Sequence, residues 1–259
     1  MTNHTNTPTS RTPAVRVARG LLAVILLAGV GVAVWWAWLN FGTTIIANRQ
    51  ADAAVADFDR HAPLRNPAVC DLNPPHTAPL GYTQVVGLNT PTWGVLHIPS
   101  WRGLPGTWGD RVAARMPIAD GTGPEVLDRA FAGRIMEFPA APGEVGNISL
   151  SGHRRTYGNN FLHLDRLQEG DQLIIETANA WFIYEVTVPP FIVPPDQWQV
   201  LAPVPNRPDH HPRGRYITLT TCHSIGDGAW GNDHRMIVHG QLTGWMYRNQ
   251  CTPPNVTDD

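Results

Sequence analysis

The chain has 259 residues, a formal net charge of −2 and 42% apolar residues, a share that is ordinary for a packed domain. This near-neutral charge gives no basis for nucleic-acid binding through a basic surface. All 19 basic residues are arginine, which excludes every mechanism that needs a catalytic lysine. The length suits one domain of roughly 150–200 residues together with an anchor and a linker.

The N-terminal region predicts a membrane anchor. Residues 20–39 contain no charged side chain, and a helix of this length spans a hydrocarbon core of roughly 30 Å. Three tryptophans near its end suit the membrane interface. A cleaved signal peptide is the alternative, but its apolar region would hold only ~7–15 residues and end in small residues. We therefore predict a transmembrane anchor over residues 20–42.

The charges that flank the anchor predict its orientation. Arg11, Arg16 and Arg19 precede it, and the first acidic residue is Asp52. Because positive charges stay on the cytoplasmic side, the sequence predicts a single-pass protein of the cell membrane. Its residues 1–19 form a disordered cytoplasmic tail, and everything after the anchor is extracellular.

The segment after the anchor changes character twice. Residues 43–80 begin with an alanine-rich stretch that could prolong the membrane helix, and their second half contains five prolines. Such a proline-rich stretch cannot sustain a helix and is typical of a semi-rigid spacer. We predict this segment to be a linker, followed by a globular domain over residues 81–248 and a C-terminal tail over residues 249–259.

Within the globular domain, short apolar runs rich in β-branched residues alternate with clusters of Gly, Pro, Asn and Asp, a pattern typical of strands. Helical segments are short. A mostly-β barrel or sandwich is therefore predicted. The candidate strands are 93–99, 134–139, 147–153, 172–177, 181–193, 216–222 and 235–245, and the candidate helices are 123–132 and 160–167.

Two of these strands end on a reactive side chain. In YITLTTC the isoleucine and leucine share one face of the strand, and Cys222 ends the opposite, polar face. In NISLSGH the apolar residues again share one face, and His153 ends the other. Both strands thus carry a core face and a polar face.

These residues match the needs of amide cleavage by a thiol. A cysteine attacks as the thiolate, the departing amine needs a proton, and the tetrahedral oxyanion needs a hydrogen-bond donor. Cys222, His153 and Arg235, which opens the strand after the Cys222 loop, supply a nucleophile, an acid–base group and a cation.

The motifs resemble those of the sortase family. TLTTC (Thr218–Cys222) is similar to the family's TLxTC signature, and Arg235 and His153 occur where the family places its arginine and histidine. GVLHIP resembles the family's G-x-L-x-I-P opening, and NNFLHLDRLQEGD resembles its F-x-x-L-x-x-L-x-x-G-D stretch. GHRRTYG together with TLTTCH is most similar to class E sortases of high-GC Gram-positive bacteria.

The resemblance implies an eight-stranded sortase-type β-barrel with short helices behind an N-terminal transmembrane helix. It implies cleavage of a Leu-Ala/Pro-x-Thr-Gly sorting signal between Thr and Gly, with Cys222 as thioacyl carrier, His153 as acid and base, and Arg235 at the oxyanion. Thr220, Thr221 and His223 are the implied substrate-binding residues. The implied partners are exported proteins with a C-terminal sorting signal and the amine of a peptidoglycan precursor, lipid II. Neither a metal nor an organic cofactor is implied.

Other functions stay open at this point. An L,D-transpeptidase is another exported cysteine enzyme. Its signature resembles H-G-x…S-H-G-C, with small residues directly before the cysteine, and Thr220 and Thr221 do not fit that signature. A catalytically inactive, membrane-anchored interaction module is the second alternative. Several histidines lie near the cysteine, but no C-x₂-C or H-E-x-x-H spacing indicates zinc.

The three cysteines leave two arrangements open. Cys70 lies in the predicted linker and Cys251 in the predicted tail, so these two could form a disulfide in an exported chain. The alternative is three free thiols. In both arrangements Cys222 is unpaired.

Overall fold

The structure, a computed structural model, describes residues 13–106, 114–225 and 232–256. Most of the predicted cytoplasmic tail, including Arg11, and the last three residues of the predicted C-terminal tail lie outside these ranges.

A long N-terminal helix leads into the globular part. Helix α1 (Pro13–Ala37) passes through a π-helical turn at Trp38–Gly42 into helix α2 (Thr43–His61). Among the described residues, this continuous helix is the one that is long and apolar enough to cross a membrane. α1 is exposed over residues 17–36, whereas α2 buries a face of small residues and Phe58. The second half of the long helix therefore packs against protein.

The globular part is a β-barrel, as predicted. Eight strands of the described residues close in the order β1-β2-β3-β4-β7-β8-β6-β5. The strands are β1 Gly94–His97, β2 Arg115–Asp120, β3 Ala132–Arg134, β4 Gly146–Ser151, β5 Gln172–Thr177, β6 Ala180–Val193, β7 Arg215–His223 and β8 His234–Tyr247. The β2–β3 and β4–β7 pairs are parallel, and the other pairs are antiparallel.

Strands β4 and β7 bury the faces that the alternation of apolar and polar residues predicted. The apolar residues of β4 and β7 lie in the main core cluster and are almost completely buried. They are Ile148, Leu150, Ile217 and Leu219. Because side chains alternate along a strand, Cys222 ends the opposite face of β7, outside the core.

Some predicted elements differ from the structure. β2 was not predicted, because Pro117 weakens any strand assignment; its ladder with β3 starts at Ile118, beyond the proline that lacks an N–H. The predicted strand 134–139 contributes little, since β3 ends at Arg134 and a proline-rich turn follows. The predicted helices shrink to the single turn of α3 (Pro124–Leu127) and a 3₁₀ turn at Leu164–Arg166.

A buried charge cluster attaches the segments before and after the barrel to strand β5. Glu176 on β5 is fully buried and accepts hydrogen bonds from Arg65 (2.7 Å), Arg248 (2.8 Å) and His97 (2.8 Å). Burial would raise the pKa of Glu176, but the hydrogen bonds and charges of His97 and Arg65 bring the pKa well below its ordinary value. Residues from before and after the barrel thus converge on one carboxylate.

A disulfide joins the same two regions. Cys70 and Cys251 are bonded, with a Cα–Cα distance of 5.8 Å, and Cys222 is free. The structure therefore has the bridged arrangement of the two that the sequence left open.

Removal of this disulfide should destabilise the protein. The bond closes a loop of 181 residues, and cross-links of this kind typically contribute about 2–5 kcal/mol, in large part by restricting the unfolded chain. We expect Cys70→Ser/Cys251→Ser to lower the denaturant midpoint of the full chain in detergent micelles. Reductant should lower the midpoint of the wild type and leave that of the double variant unchanged. Equal midpoints for both proteins without reductant would contradict this prediction.

His239 belongs to the packed interior. Its Nδ1 lies 3.0 Å from the Thr218 hydroxyl and its Nε2 lies 3.4 Å from the Asn206 amide. Burial lowers the pKa of His239 to about 4. The histidine is therefore neutral in the folded protein at physiological pH.

This lowered pKa makes stability depend on pH. An unfolded histidine has a pKa of about 6.5, so the neutral folded form is fully favoured above that pH and loses its advantage as the pH falls towards 4. The contribution of His239 to the free energy of unfolding should be about 3 kcal/mol lower at pH 4 than at neutral pH. We expect His239→Gln to reduce the fall in unfolding free energy between pH 7 and pH 4. The exposed His76 gives the control, since His76→Gln should keep the wild-type slope; equal slopes for all three proteins would refute the assignment.

Candidate active site

Cys222 lies near the end of β7, one residue before the strand finishes. In the antiparallel ladder with β8 it pairs with Arg235, and His223 pairs with His234. The side chain of Cys222 is partly exposed and lines a cavity. The thiol and the arginine thus lie on adjacent strands at the same level of the barrel.

His153 follows the strand that runs parallel to β7. The β4–β7 ladder ends with Ser151 opposite Thr220, and two further bonds prolong the contact. The Gly152 N–H donates to the Thr220 carbonyl at 3.3 Å, and the Thr221 hydroxyl donates to the Gly152 carbonyl at 2.7 Å. Continuing the register by two residues places His153 opposite Cys222.

Arg235 is the second residue of β8, and the backbone just before it holds its side chain. Its Nη1 donates to the carbonyl oxygens of Asn232 and His234, both at 2.9 Å. The side chain is partly exposed and lines the same cavity as Cys222. A guanidinium in this position offers further N–H donors to a ligand in the cavity.

The three residues predicted to bind substrate have different surroundings. Thr220 and Thr221 line the cavity, although the Thr221 hydroxyl is used by Gly152. His223 receives a hydrogen bond on Nδ1 from the Arg154 guanidinium, which in turn lies 3.4 Å from Asp165. Burial and the positive charge of Arg154 lower the pKa of His223, so this ring is a neutral acceptor.

The cavity beside Cys222 has a volume of about 500 Å³ and is mainly apolar. Prolines and aromatic rings form its far wall, where Phe138 and Trp198 stack at a centroid distance of 6.1 Å. Trp198 is half exposed. The cavity is therefore open to solvent and large enough for several side chains of an extended peptide.

The sequence did not reveal Asp128. This residue follows α3, and its Oδ1 lies 2.8 Å from His153 Nε2. The ring of Tyr157 lies 5.4 Å from that of His153. Asp128 belongs to no pattern whose spacing points to the histidine, because its turn meets the loop of His153 only in the folded chain. Tyr157 lies four residues after His153 in the motif GHRRTYG, but the motif does not indicate that the two rings are in contact.

The Cys222 thiol and the Arg235 guanidinium line one cavity, whereas the His153 imidazole, with its carboxylate partner Asp128, follows the neighbouring strand β4 and is not among the residues that line this cavity. These groups can provide a nucleophile, a proton carrier and an oxyanion donor without further components. Within residues 13–106, 114–225 and 232–256, no group of three or more His, Cys, Asp or Glu residues is arranged to hold a metal ion.

Comparison with known proteins gives the same family from sequence and from structure. Residues 110–243 match the sortase domain. Sortase SrtE1 of Streptomyces coelicolor is 32% identical over 168 residues, which cover 62% of this chain and 43% of the relative. The chain thus spans less than half the length of that curated relative.

Two solved structures support the match. SrtA sortase from Actinomyces oris has a TM-score of 0.61 and 46% identity, over 71% of this chain and 96% of that chain. Sortase E1 from Streptomyces coelicolor, solved with a tripeptide in the active site, has a TM-score of 0.52 and 31% identity, over 64% of this chain and 96% of that chain. The chain therefore belongs to the sortase family of cysteine transpeptidases and is a class E-like member of it.

Proposed function

We propose that this protein is a transpeptidase that cleaves a Leu-Ala/Pro-x-Thr-Gly sorting signal between Thr and Gly and transfers the protein to a cell-wall amine. The observation that carries the proposal is the register of β7, which sets Cys222 opposite Arg235 and beside the end of β4, where His153 follows. Family members in general act on proteins with sorting signals and on cell-wall precursors. The specific signal and acceptor are part of the proposal.

The first half of the reaction forms a thioester. The Cys222 thiolate attacks the threonine carbonyl carbon, a C–S bond forms, and Arg235 donates hydrogen bonds to the oxyanion. The C–N bond then breaks, and His153 gives its proton to the departing glycine amine. The substrate is left as a thioacyl group on Cys222.

The second half transfers the acyl group. An acceptor amine attacks the thioester carbon and gives a proton to His153, the new C–N bond forms, and the C–S bond breaks. The acceptor is proposed to be the amine of lipid II. Since both halves pass a proton through His153, the imidazole ends each turnover in the state in which it started.

The cavity supplies the binding site in this scheme. An extended peptide would lie across Thr220 and Thr221, with its apolar side chains against the wall formed by Phe138 and Trp198. His223 lies at the strand end next to Cys222, and its backbone N–H is the proposed second donor to the oxyanion. The hydrophobic wall suits the leucine that begins the signal.

The proposed location is the outer face of the cell membrane. α1 contains most of the apolar, uncharged stretch and exposes residues 20–36 of it, as a helix surrounded by lipid would. The arginines before it favour a cytoplasmic N-terminus. The barrel would then face exported proteins and membrane-bound wall precursors on the same side.

Cys222→Ala should abolish both cleavage and ligation, because Cys222 supplies the one thiol among the described residues that line the cavity. Mass spectrometry should detect a thioacyl adduct on the wild type and none on the variant. The substrates are peptides with Leu-Ala-x-Thr-Gly and Leu-Pro-x-Thr-Gly. The class E resemblance predicts that the peptide with alanine at the second position is cleaved faster. Turnover by the variant above about one part in a thousand of the wild-type rate would refute the assignment of Cys222 as the nucleophile.

The same experiment on the wild type separates the alternative functions. No adduct with either peptide, combined with muropeptide crosslinking, would favour an L,D-transpeptidase; no adduct without crosslinking would favour an interaction module.

His153→Ala should lower the rate of cleavage by a factor on the order of 10² or more, the usual effect of losing a general acid. The matched control is His76→Ala, since His76 is exposed and lies in the predicted linker. The control should retain the wild-type rate. A His153→Ala variant that cleaves as fast as the control would remove His153 from the mechanism.

A further inference from the structure

The two contacts of the His153 ring come from outside the proposed catalytic set. Asp128 Oδ1 lies 2.8 Å from Nε2, and the Tyr157 ring lies 5.4 Å away with an interplanar angle of 31°. The His153 and Asp128 side chains are about one-third exposed, at 28% and 34%. Because solvent reaches this pair, the carboxylate can hold the ring in place only if the backbone that carries it is itself fixed.

The segments that carry these contacts both pack on α2. The buried alanines of α2 form a hydrophobic cluster with α3 and the turn that follows it, and Leu127 and Tyr157 pack against this cluster. Asp128 directly follows Leu127 in the chain. The buried members of the cluster are Ala47, Ala51, Ala54, Ala119, Val126, Ala130 and Phe131.

The backbone in both segments is strained. Ala130, Thr156, Tyr157 and Asn159 have φ angles of 58°, 64°, 44° and 53°. Such conformations cost of order 1–3 kcal/mol each for residues other than glycine and persist only where the surroundings enforce them. Here the surroundings include α2.

Gly158 marks the closest approach between the loop and the helix. Its N–H donates to the Thr44 hydroxyl at 3.5 Å. A Cβ at this position would lie 2.3 Å from the Ala130 Cβ and 2.7 Å from Asn48 Oδ1, and the φ angle of +97° favours glycine as well. The loop after His153, the turn after Asp128 and helix α2 therefore meet without free space.

We propose that Asp128 is a positioning residue for His153 and that α2, the continuation of the membrane helix, fixes Asp128 and Tyr157 for this purpose. An ionised carboxylate can only accept a hydrogen bond, so Asp128 holds the proton on Nε2 and leaves Nδ1 to exchange protons with the reacting groups. The inference rests on the proposed function of His153 as the proton carrier.

The test uses two substrates that need His153 to different degrees. An amide releases an amine, which must be protonated as it leaves; a thioester of the same sorting peptide releases a thiolate, which leaves without a proton. Both reactions begin with the same Cys222 nucleophile. A change in the reactivity of its thiolate therefore alters both acylation rates and leaves their ratio unchanged. A purely structural defect would lower both rates equally.

Asp128→Ala in the full chain in detergent micelles should lower the acylation rate on the amide by about tenfold or more and on the thioester by much less. Asp128→Glu, which keeps the carboxylate, should recover part of the amide rate. Asp171→Ala is the matched control: the side chain of Asp171 accepts a hydrogen bond from the Gln168 N–H at 2.8 Å, in the turn before β5. The control should leave the rate ratio unchanged.

A second pair of variants tests α2. Ala47 is fully buried in the cluster, whereas Ala53 lies on the exposed face of the same helix. Ala47→Leu should displace the loops and lower the amide rate more than the thioester rate, and Ala53→Leu should leave both unchanged. Activity on the thioester also shows that the variant is folded.

The outcomes separate this inference from the proposed function. If the wild type cleaves neither substrate, the proposed function fails. If the wild type cleaves both, and Asp128→Ala either keeps the wild-type amide rate or loses both rates in equal proportion, Asp128 is not a positioning residue. If Asp128→Ala behaves as expected but Ala47→Leu keeps the wild-type ratio, the role of α2 is refuted.

Discussion

The arrangement of this molecule depends on the parallel pairing of β4 with β7. Parallel strands cannot be joined by a tight hairpin, so the chain between them makes two further strands and a long excursion before it returns. The pairing makes both strands run towards the same end of the barrel, where β7 continues three residues beyond the last partner of β4. Histidine and cysteine, 69 positions apart in the chain, consequently follow the same edge, and the hydroxyl of Thr221 bonds the two strand ends together.

Barrel closure adds the third group. β8 returns antiparallel to β7, so the residue opposite Cys222 is Arg235, the second residue of β8. A closed barrel has no free edge that could slip, and a slip of one residue would turn every side chain of β8 to the wrong face. The hydrogen bonds between β7 and β8 that close the barrel therefore also fix the position of Cys222 relative to Arg235 along the two strands.

The sequence was informative where a pattern is local. The alternation of apolar and polar residues in YITLTTC and NISLSGH predicted which faces of β4 and β7 are buried, and the order of the motifs predicted the barrel. Asp128 could not be found in this way, because its contact with His153 joins two segments that meet only in three dimensions. Tyr157 lies in the motif GHRRTYG, but the motif does not indicate that its ring lies beside that of His153. Pro117 concealed β2, and the alanines of α2 indicate a helix without indicating its partner.

The disulfide has a consequence for the order of biogenesis. Cys70 follows the long N-terminal helix, whereas Cys251 follows β8, so the bond can form only after β1 to β8 have all been synthesised. Until then Arg65, which precedes the first cysteine, and Arg248, which precedes the second, are not tied by this bond next to Glu176. Oxidation of this cysteine pair therefore follows the synthesis of all the strands of the barrel and cannot guide the folding of the earlier strands while the chain is still being made.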